Sequence, residues 1–136
     1  MDMNTRFLMS LSAAFYAMLG AGITFLPQEF LAHIGASSDG IVVLLVQMLG
    51  ALYLGFAMLN WMNRGGHIGG IYRRPVSMAN FFNFAVGGTA IVKWVIANQF
   101  ALEVAVVALT YSVFAVWFGL VVFTHPANET HIKSDT

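Results

Sequence analysis

The chain has 136 residues, of which 59% are hydrophobic and 9% are charged, and its formal net charge is zero. A soluble domain carries about 25% charged residues, so this composition excludes a water-soluble fold and predicts an integral membrane protein. The balanced charge gives no sign of a nucleic-acid partner. Because the chain contains no cysteine, disulfides, thiol chemistry and cysteine-ligated metal clusters are excluded as well.

Four apolar runs are long enough to cross a bilayer as helices, at about 20 residues for each span. They cover residues 7–26, 41–62, 76–97 and 101–124. We therefore predict an all-α membrane protein: a four-transmembrane-helix bundle with antiparallel neighbours, forming a single membrane domain over residues 1–136. The segment from Pro27 to Gly40 predicts either a short interfacial helix or a surface turn.

Small residues within the apolar runs predict close contacts between helices. In the second run these are Gly50, Ala51 and Gly55, and in the third run they are Gly87 and Gly88. The same small residues would permit oligomerisation, although they do not demonstrate it.

Positive charge predicts how the helices are oriented. With a cytoplasmic N-terminus, Lys93 alone among the basic residues lies toward the outer side. The other five fall on the cytoplasmic side: Arg6, Arg64, Arg73, Arg74 and Lys133. We therefore expect both termini and the loop over residues 63–75 to be cytoplasmic.

Three tyrosines and an asparagine form a predicted midplane polar site. Tyrosine normally prefers the membrane interface, and at the midplane its hydroxyl needs a hydrogen-bond partner. Two interpretations are open: interhelical hydrogen bonding that holds the helices together, or a pocket for a small amphipathic ligand or a lipid tail. The residues are Tyr16, Tyr53, Asn83 and Tyr111.

Two charged residues lie inside the last two apolar runs, Lys93 and Glu103. They are placed symmetrically about Asn98, so antiparallel neighbours would bring them to a similar depth. The spacing predicts an ion pair, which would act either as part of a gate or as a structural clasp. The alternative is that both side chains extend separately to the membrane surface.

The glycine-rich basic loop between the second and third runs predicts a site for an anionic lipid headgroup. Its residues are Arg64, Arg73 and Arg74, with Asn60 and Asn80 close to the same surface. The loop lacks the Gly-Lys-Ser/Thr ending that a nucleotide-binding loop requires. The alternative is that these arginines only set the membrane topology.

No catalytic or cofactor site is predicted. The histidines, at positions 33, 67, 125 and 131, all lie outside the apolar runs, whereas a transmembrane haem protein places them within its helices. They lack a supporting set of metal ligands, and no Ser/His/Asp set is evident. We therefore expect no metal, no cofactor and no enzymatic activity.

The sequence from Gly50 to Trp61, followed by Arg64-Gly65, resembles small bacterial four-helix proteins of the DoxX-like group and related uncharacterised families. Arg74-Pro75, Asn80 and Gly87 are similar to the third helix of such proteins. The resemblance covers about the middle third of the chain. It implies a multi-pass protein of the bacterial inner (plasma) membrane and supplies no catalytic residues.

These observations predict a small membrane protein that serves as an accessory subunit of a membrane complex, or as a module that binds lipid or a partner. The expected partners are membrane lipids and other membrane subunits or further copies of the chain. The alternative is a small oligomeric transporter or channel that uses the midplane polar site, and a membrane enzyme ranks third.

Overall fold

The computed structural model describes residues 2–65, 73–98 and 102–124 of the chain. These residues form the helices α1 (Asp2–Phe25), α2 (Pro27–His33), α3 (Gly40–Asn63), α4 (Arg73–Ala97) and α5 (Leu102–Thr124). The chain divides into two compact units, Met1–Gly66 and His67–Thr136. The first unit therefore contains α1, α2 and α3, and the second contains α4 and α5. The predicted all-α class is confirmed for the described residues.

The long helices α1, α3, α4 and α5 are each long and apolar enough to cross a membrane. They match the predicted runs, except that α1 begins at Asp2 rather than at residue 7 and α4 begins at Arg73 rather than at residue 76. Pro75 is consequently the third residue of α4 and not the first. The N–H groups of a helix's first turn have no partner within the helix, so a proline at the third position costs no hydrogen bond.

In the first unit, α1 and α3 pack side by side and run in opposite directions. Residues later in α1 contact residues earlier in α3. The contacting pairs are Ser12 with Asn60, Tyr16 with Tyr53, and Gly20 with Gly50. The predicted antiparallel arrangement is confirmed for this pair of neighbours.

The two helix backbones approach each other most closely at Gly20 and Gly50. A Cβ atom on Gly20 would lie 2.9 Å from the carbonyl oxygen of Gly50 and 2.9 Å from the backbone nitrogen of Leu54. This is the close contact between small residues that is common in membrane helices. Gly55, by contrast, faces open space. Of the small residues predicted to make helix contacts in α3, Gly50 does so in this unit and Gly55 does not.

A short helix, α2, follows α1 directly, as one of the two sequence interpretations predicted. Leu31 anchors it with only 2% of its surface exposed. The helix ends at His33, and Gly35, whose φ of 67° places it in the left-handed region, follows its C-cap Ile34. The N–H of Gly35 donates to the carbonyl of Ala32, and the N–H of Ala36 donates to the carbonyl of Leu31. This is a Schellman motif, which satisfies the last carbonyls of the helix.

In the second unit, α4 and α5 also pack as an antiparallel pair, around Phe84. This ring is fully buried and contacts three rings of α5, with centroid distances of 5.2 Å to Tyr111, 4.8 Å to Phe114 and 5.8 Å to Phe118. The ring of Tyr111 lies against Gly87, where a Cβ atom would be 3.0 Å from it. The predicted contact role of this glycine is therefore confirmed within the unit.

The outer faces of both units are strongly apolar. On α3, Met48, Leu52 and Met58 each expose more than half of their surface. On α5, Leu109 and Val116 do the same. Monomeric soluble proteins rarely expose contiguous apolar patches of this kind, whereas hydrocarbon solvates them. Together with the lengths of the four helices, these faces identify the protein as a multi-pass helical membrane protein.

Candidate functional site

The first half of the predicted midplane site is a stack of aromatic rings between α1 and α3. Tyr16 is fully buried. Its ring centroid lies 5.6 Å from that of Tyr53, with the planes inclined by 26°, and 5.4 Å from that of Phe56. Tyr16 and Tyr53 therefore lie opposite each other where α1 packs on α3. Stacking of this kind adds packing energy beyond the buried area.

A buried polar contact lies one helical turn from this stack, toward the N-terminus of α1. The side-chain amide of Asn60 donates to Oγ of Ser12 over 2.9 Å, and Ser12 Oγ donates to the carbonyl of Met9 over 3.1 Å. Ser12, Asn60 and Met9 are all fully buried. The pairing of Ser12 with Asn60 was not predicted from the sequence. The register that stacks Tyr16 on Tyr53 places Ser12 opposite position 57, and Asn60 lies about one turn further along α3.

The burial of Asn60 changes its assignment. It was predicted to contribute to a headgroup site at the membrane surface, but its amide group is enclosed between α1 and α3. Arg64, from the same predicted site, follows the end of α3. Its guanidinium carbon lies 3.2 Å from the centroid of the Trp61 ring. This arrangement is a cation–π contact.

Two buried polar atoms of the first unit have no hydrogen-bond partner among the described residues, Oγ1 of Thr24 and Nδ2 of Asn63. Thr24 Oγ1 lies directly against the position where Gly50 would carry a Cβ atom. The close backbone approach at Gly50 therefore encloses this hydroxyl. Asn63 lies in the last turn of α3, one turn after Asn60.

The second half of the predicted midplane site lies in the second unit. Tyr111 is buried, with 3% of its surface exposed, and it packs edge-on against Phe84. Asn83 is half-buried on α4. The structure thus brings Tyr16 together with Tyr53 in one unit and places Asn83 and Tyr111 in the other. That all four residues form one site stays a prediction.

Asn80 is also reassigned from the surface to the interior of its unit. It is fully buried, and its amide donates to the carbonyl of Val76 over 2.8 Å. Neither asparagine of the predicted headgroup site is therefore exposed. Arg74, in contrast, is exposed near the start of α4. The side chain of Arg73 lies outside the part of the chain that the structure describes.

Lys93 and Glu103 are both exposed. Nine residues separate Phe84 from Lys93, which at about 100° per residue places the two on opposite sides of α4. Because Phe84 faces α5, the hairpin directs the Cα–Cβ bond of Lys93 away from that helix. This placement supports the interpretation in which the two charges extend separately to the surface, and the ion pair stays a prediction.

Several hydroxyl groups in the spans hydrogen-bond to a carbonyl one turn earlier on their own helix. Distances from donor to acceptor are 2.7 Å for Thr89 to Ala85, 2.9 Å for Thr110 to Val106 and 2.8 Å for Ser112 to Ala108, and Thr124 donates to Leu120 in the same way. Such bonds satisfy a hydroxyl without a neighbouring helix. The hydroxyls of Thr110, Ser112 and Thr124 are thus hydrogen-bonded within α5 itself.

A shallow apolar groove runs along the outer side of α5. Phe81 of α4 forms one wall, and a neighbouring depression continues past Trp117. The part walled by Phe81 has a volume of about 410 Å³, the depression past Trp117 has a volume of about 510 Å³, and both are lined almost entirely by apolar atoms. The other residues that line the part walled by Phe81 are Ala115, Val116, Gly119, Leu120, Phe123 and Thr124. Sequence analysis did not anticipate this groove, because its shape depends on how Phe81 packs over Gly119.

Within residues 2–65, 73–98 and 102–124, no group of three or more His, Cys, Asp or Glu side chains is arranged to hold an ion.

Comparisons of the chain with protein-family models, with curated proteins and with solved structures find no match. The DoxX-like resemblance stays a prediction.

Proposed function

We propose that this protein is a non-enzymatic accessory subunit or binding module of a membrane complex, with both termini in the cytoplasm. One contrast supports the proposal. Several polar side chains of the spans are hydrogen-bonded within their own helix or hairpin, as in Asn60 with Ser12 and Asn80 with Val76. Thr24 Oγ1 and Asn63 Nδ2, which have no partner among the described residues, are buried rather than open to a water path. The outer faces of the helices are apolar and are open to lipid or to another protein.

The contrast matters because a transport path needs polar groups that water can reach. A polar group left unpaired in hydrocarbon costs several kcal/mol, so groups that line a path are held by water or by substrate. Here Ser12 and Asn60 are fully buried, and the Tyr16 ring is covered by Tyr53 and Phe56. These residues hold α1 and α3 together.

The first experiment is purification of the tagged full chain in a mild detergent, followed by mass spectrometry of the co-purifying proteins. We expect one membrane protein at a fixed molar ratio. If one outer face of the chain binds this protein, a tryptophan substitution on that face should abolish its co-purification. Four exposed positions, one on each long helix, serve as the set of variants: Met18, Leu52, Val86 and Leu109.

The matched control is Tyr53→Phe, which removes the hydroxyl of a half-buried ring stacked on Tyr16 and leaves the four substituted positions unchanged. An accessory subunit keeps its partner in this variant. If no protein co-purifies at a fixed ratio, and reconstituted vesicles show solute or ion flux that Tyr53→Phe alters, the accessory role is overturned in favour of transport.

A further inference from the structure

We infer that the second unit carries a binding site for one anionic phospholipid, with the headgroup on Arg74 and an acyl chain in the groove walled by Phe81 on α4 and by α5. The inference deepens the proposed function, since it names the class of lipid that such a module binds. It rests on that proposal only for the placement of α4 and α5 in a membrane.

The groove fits an acyl chain by its volume and its chemistry. Its volume of about 410 Å³ belongs to a shallow depression open along one side, which can hold part of one acyl chain lengthwise. The hydroxyl of Thr124, at one end, donates its proton to the carbonyl of Leu120. In a bilayer, a surface depression lined by apolar atoms is filled by hydrocarbon.

Arg74 lies above this groove on the same face of α4. Seven residues separate Arg74 from Phe81, which is nearly two full turns, so the two side chains leave the helix in almost the same direction. Their separation along the axis is about 10 Å at 1.5 Å per residue. This spacing matches an amphipathic ligand that has its charge at the membrane surface and its chain in the hydrocarbon.

The sign of the charge selects an anionic lipid. Arg74 is exposed, and within residues 73–98 and 102–124 the acidic residue is Glu103, which lies at the opposite end of the hairpin. No described carboxylate of this unit is therefore near enough to neutralise Arg74. A guanidinium recognises a phosphate by paired hydrogen bonds, and an anionic lipid adds a favourable net charge that a zwitterionic one lacks.

The test is native mass spectrometry of the delipidated full chain, titrated with dioleoyl phosphatidylglycerol and, separately, with dioleoyl phosphatidylcholine. We expect one phosphatidylglycerol to bind more tightly than phosphatidylcholine. Arg74→Gln should lower the affinity for phosphatidylglycerol about fivefold, which is the effect of one basic residue at a membrane surface. The affinity for phosphatidylcholine should stay unchanged. Arg74→Lys should retain most of the preference.

The groove is tested by Val116→Trp, which places a large ring in it at a position that is already exposed. This variant should reduce the binding of both lipids. Leu109→Trp, on the same helix and outside the groove, is the matched control for folding, and Arg64→Gln is the control for loss of charge. Glycerol phosphate, which has the headgroup chemistry without acyl chains, should bind far more weakly than the lipid.

Three results would overturn the inference: an unchanged lipid preference in Arg74→Gln, equal weakening by Arg64→Gln, or full lipid binding by Val116→Trp. Each variant is first checked for a monodisperse elution profile. Failure of the accessory-subunit proposal would be seen separately, because loss of a co-purifying protein does not alter lipid titration of the isolated chain.

Discussion

Asn60 donates a hydrogen bond to Ser12 over 2.9 Å, although the two residues are 48 positions apart in the chain. Both side chains are fully buried between α1 and α3. In hydrocarbon this bond replaces the water that an exposed amide would have, and it fixes the register of the two helices.

Removing the acceptor should destabilise the first unit. Ser12→Ala leaves the Asn60 amide without this partner, so we expect the free energy of unfolding to fall by about 1–2 kcal/mol. Adding Asn60→Ala should cost less in the Ser12→Ala background than in the wild type. Ser112→Ala, which removes a bond to a carbonyl of the same helix, is the control and should cost less. Unfolding in mixed micelles measures each value, and strictly additive effects would show that the two residues are not coupled.

Two glycines of α3 should respond oppositely to alanine. At Gly50 a Cβ atom would lie 2.9 Å from Cγ1 of Ile23 and 2.9 Å from the backbone nitrogen of Thr24. Since the backbone cannot yield without separating the helices, Gly50→Ala should cost about 2 kcal/mol. Gly55 faces open space, so Gly55→Ala should be neutral or slightly stabilising. The same unfolding assay decides, and equal costs at the two positions would contradict the packing.

The second unit should depend strongly on one ring. Phe84 is fully buried against three rings of α5. Phe84→Ala should therefore cost about 2–3 kcal/mol, less than in a soluble core, because the unfolded reference is already solvated by hydrocarbon. Phe82, which is 57% exposed, is the matched control, and Phe82→Ala should cost far less. Thermal unfolding in detergent gives the comparison; similar shifts for both variants would exclude Phe84 as the centre of the unit.

Lys93 and Glu103 should behave as independent charges. The helix period places Lys93 on the opposite side of α4 from Phe84, so we expect Lys93→Leu and Glu103→Leu to add within about 0.5 kcal/mol. A structural clasp requires a different outcome, in which the double variant is more stable than the sum of the single variants because no isolated charge remains. A double-mutant cycle of unfolding free energies distinguishes the two.

The orientation predicted from basic residues can be tested with reporters. A green fluorescent protein fused after Thr136 should fluoresce, since it folds in the cytoplasm, and alkaline phosphatase at the same position should be inactive. Fusions after Ala36, beyond the first span, should give the opposite pair of results. An active phosphatase at the C-terminus would reverse the proposed topology.

The sequence by itself determined that the chain has the composition of a membrane protein, that it has four helices long enough to span a bilayer, and where these helices approximately end. Composition and run length suffice for these because a backbone in hydrocarbon must bond within its own helix. The sequence also grouped Tyr16 and Tyr53 in one predicted polar site, and the structure stacks their rings between α1 and α3.

Only the tertiary structure decided which side of each helix faces its neighbour. In a soluble protein the apolar stripe gives this information, but α3, α4 and α5 have no marked apolar side, so lipid-facing and helix-facing residues look alike in sequence. That is why Asn60 and Asn80 were assigned to the surface and proved to be buried, and why Gly50 rather than Gly55 makes the close contact. The groove beside Phe81 also could not be predicted from the sequence. Its shape depends on how the Phe81 ring packs over Gly119, and the periodicity of the sequence does not show this contact.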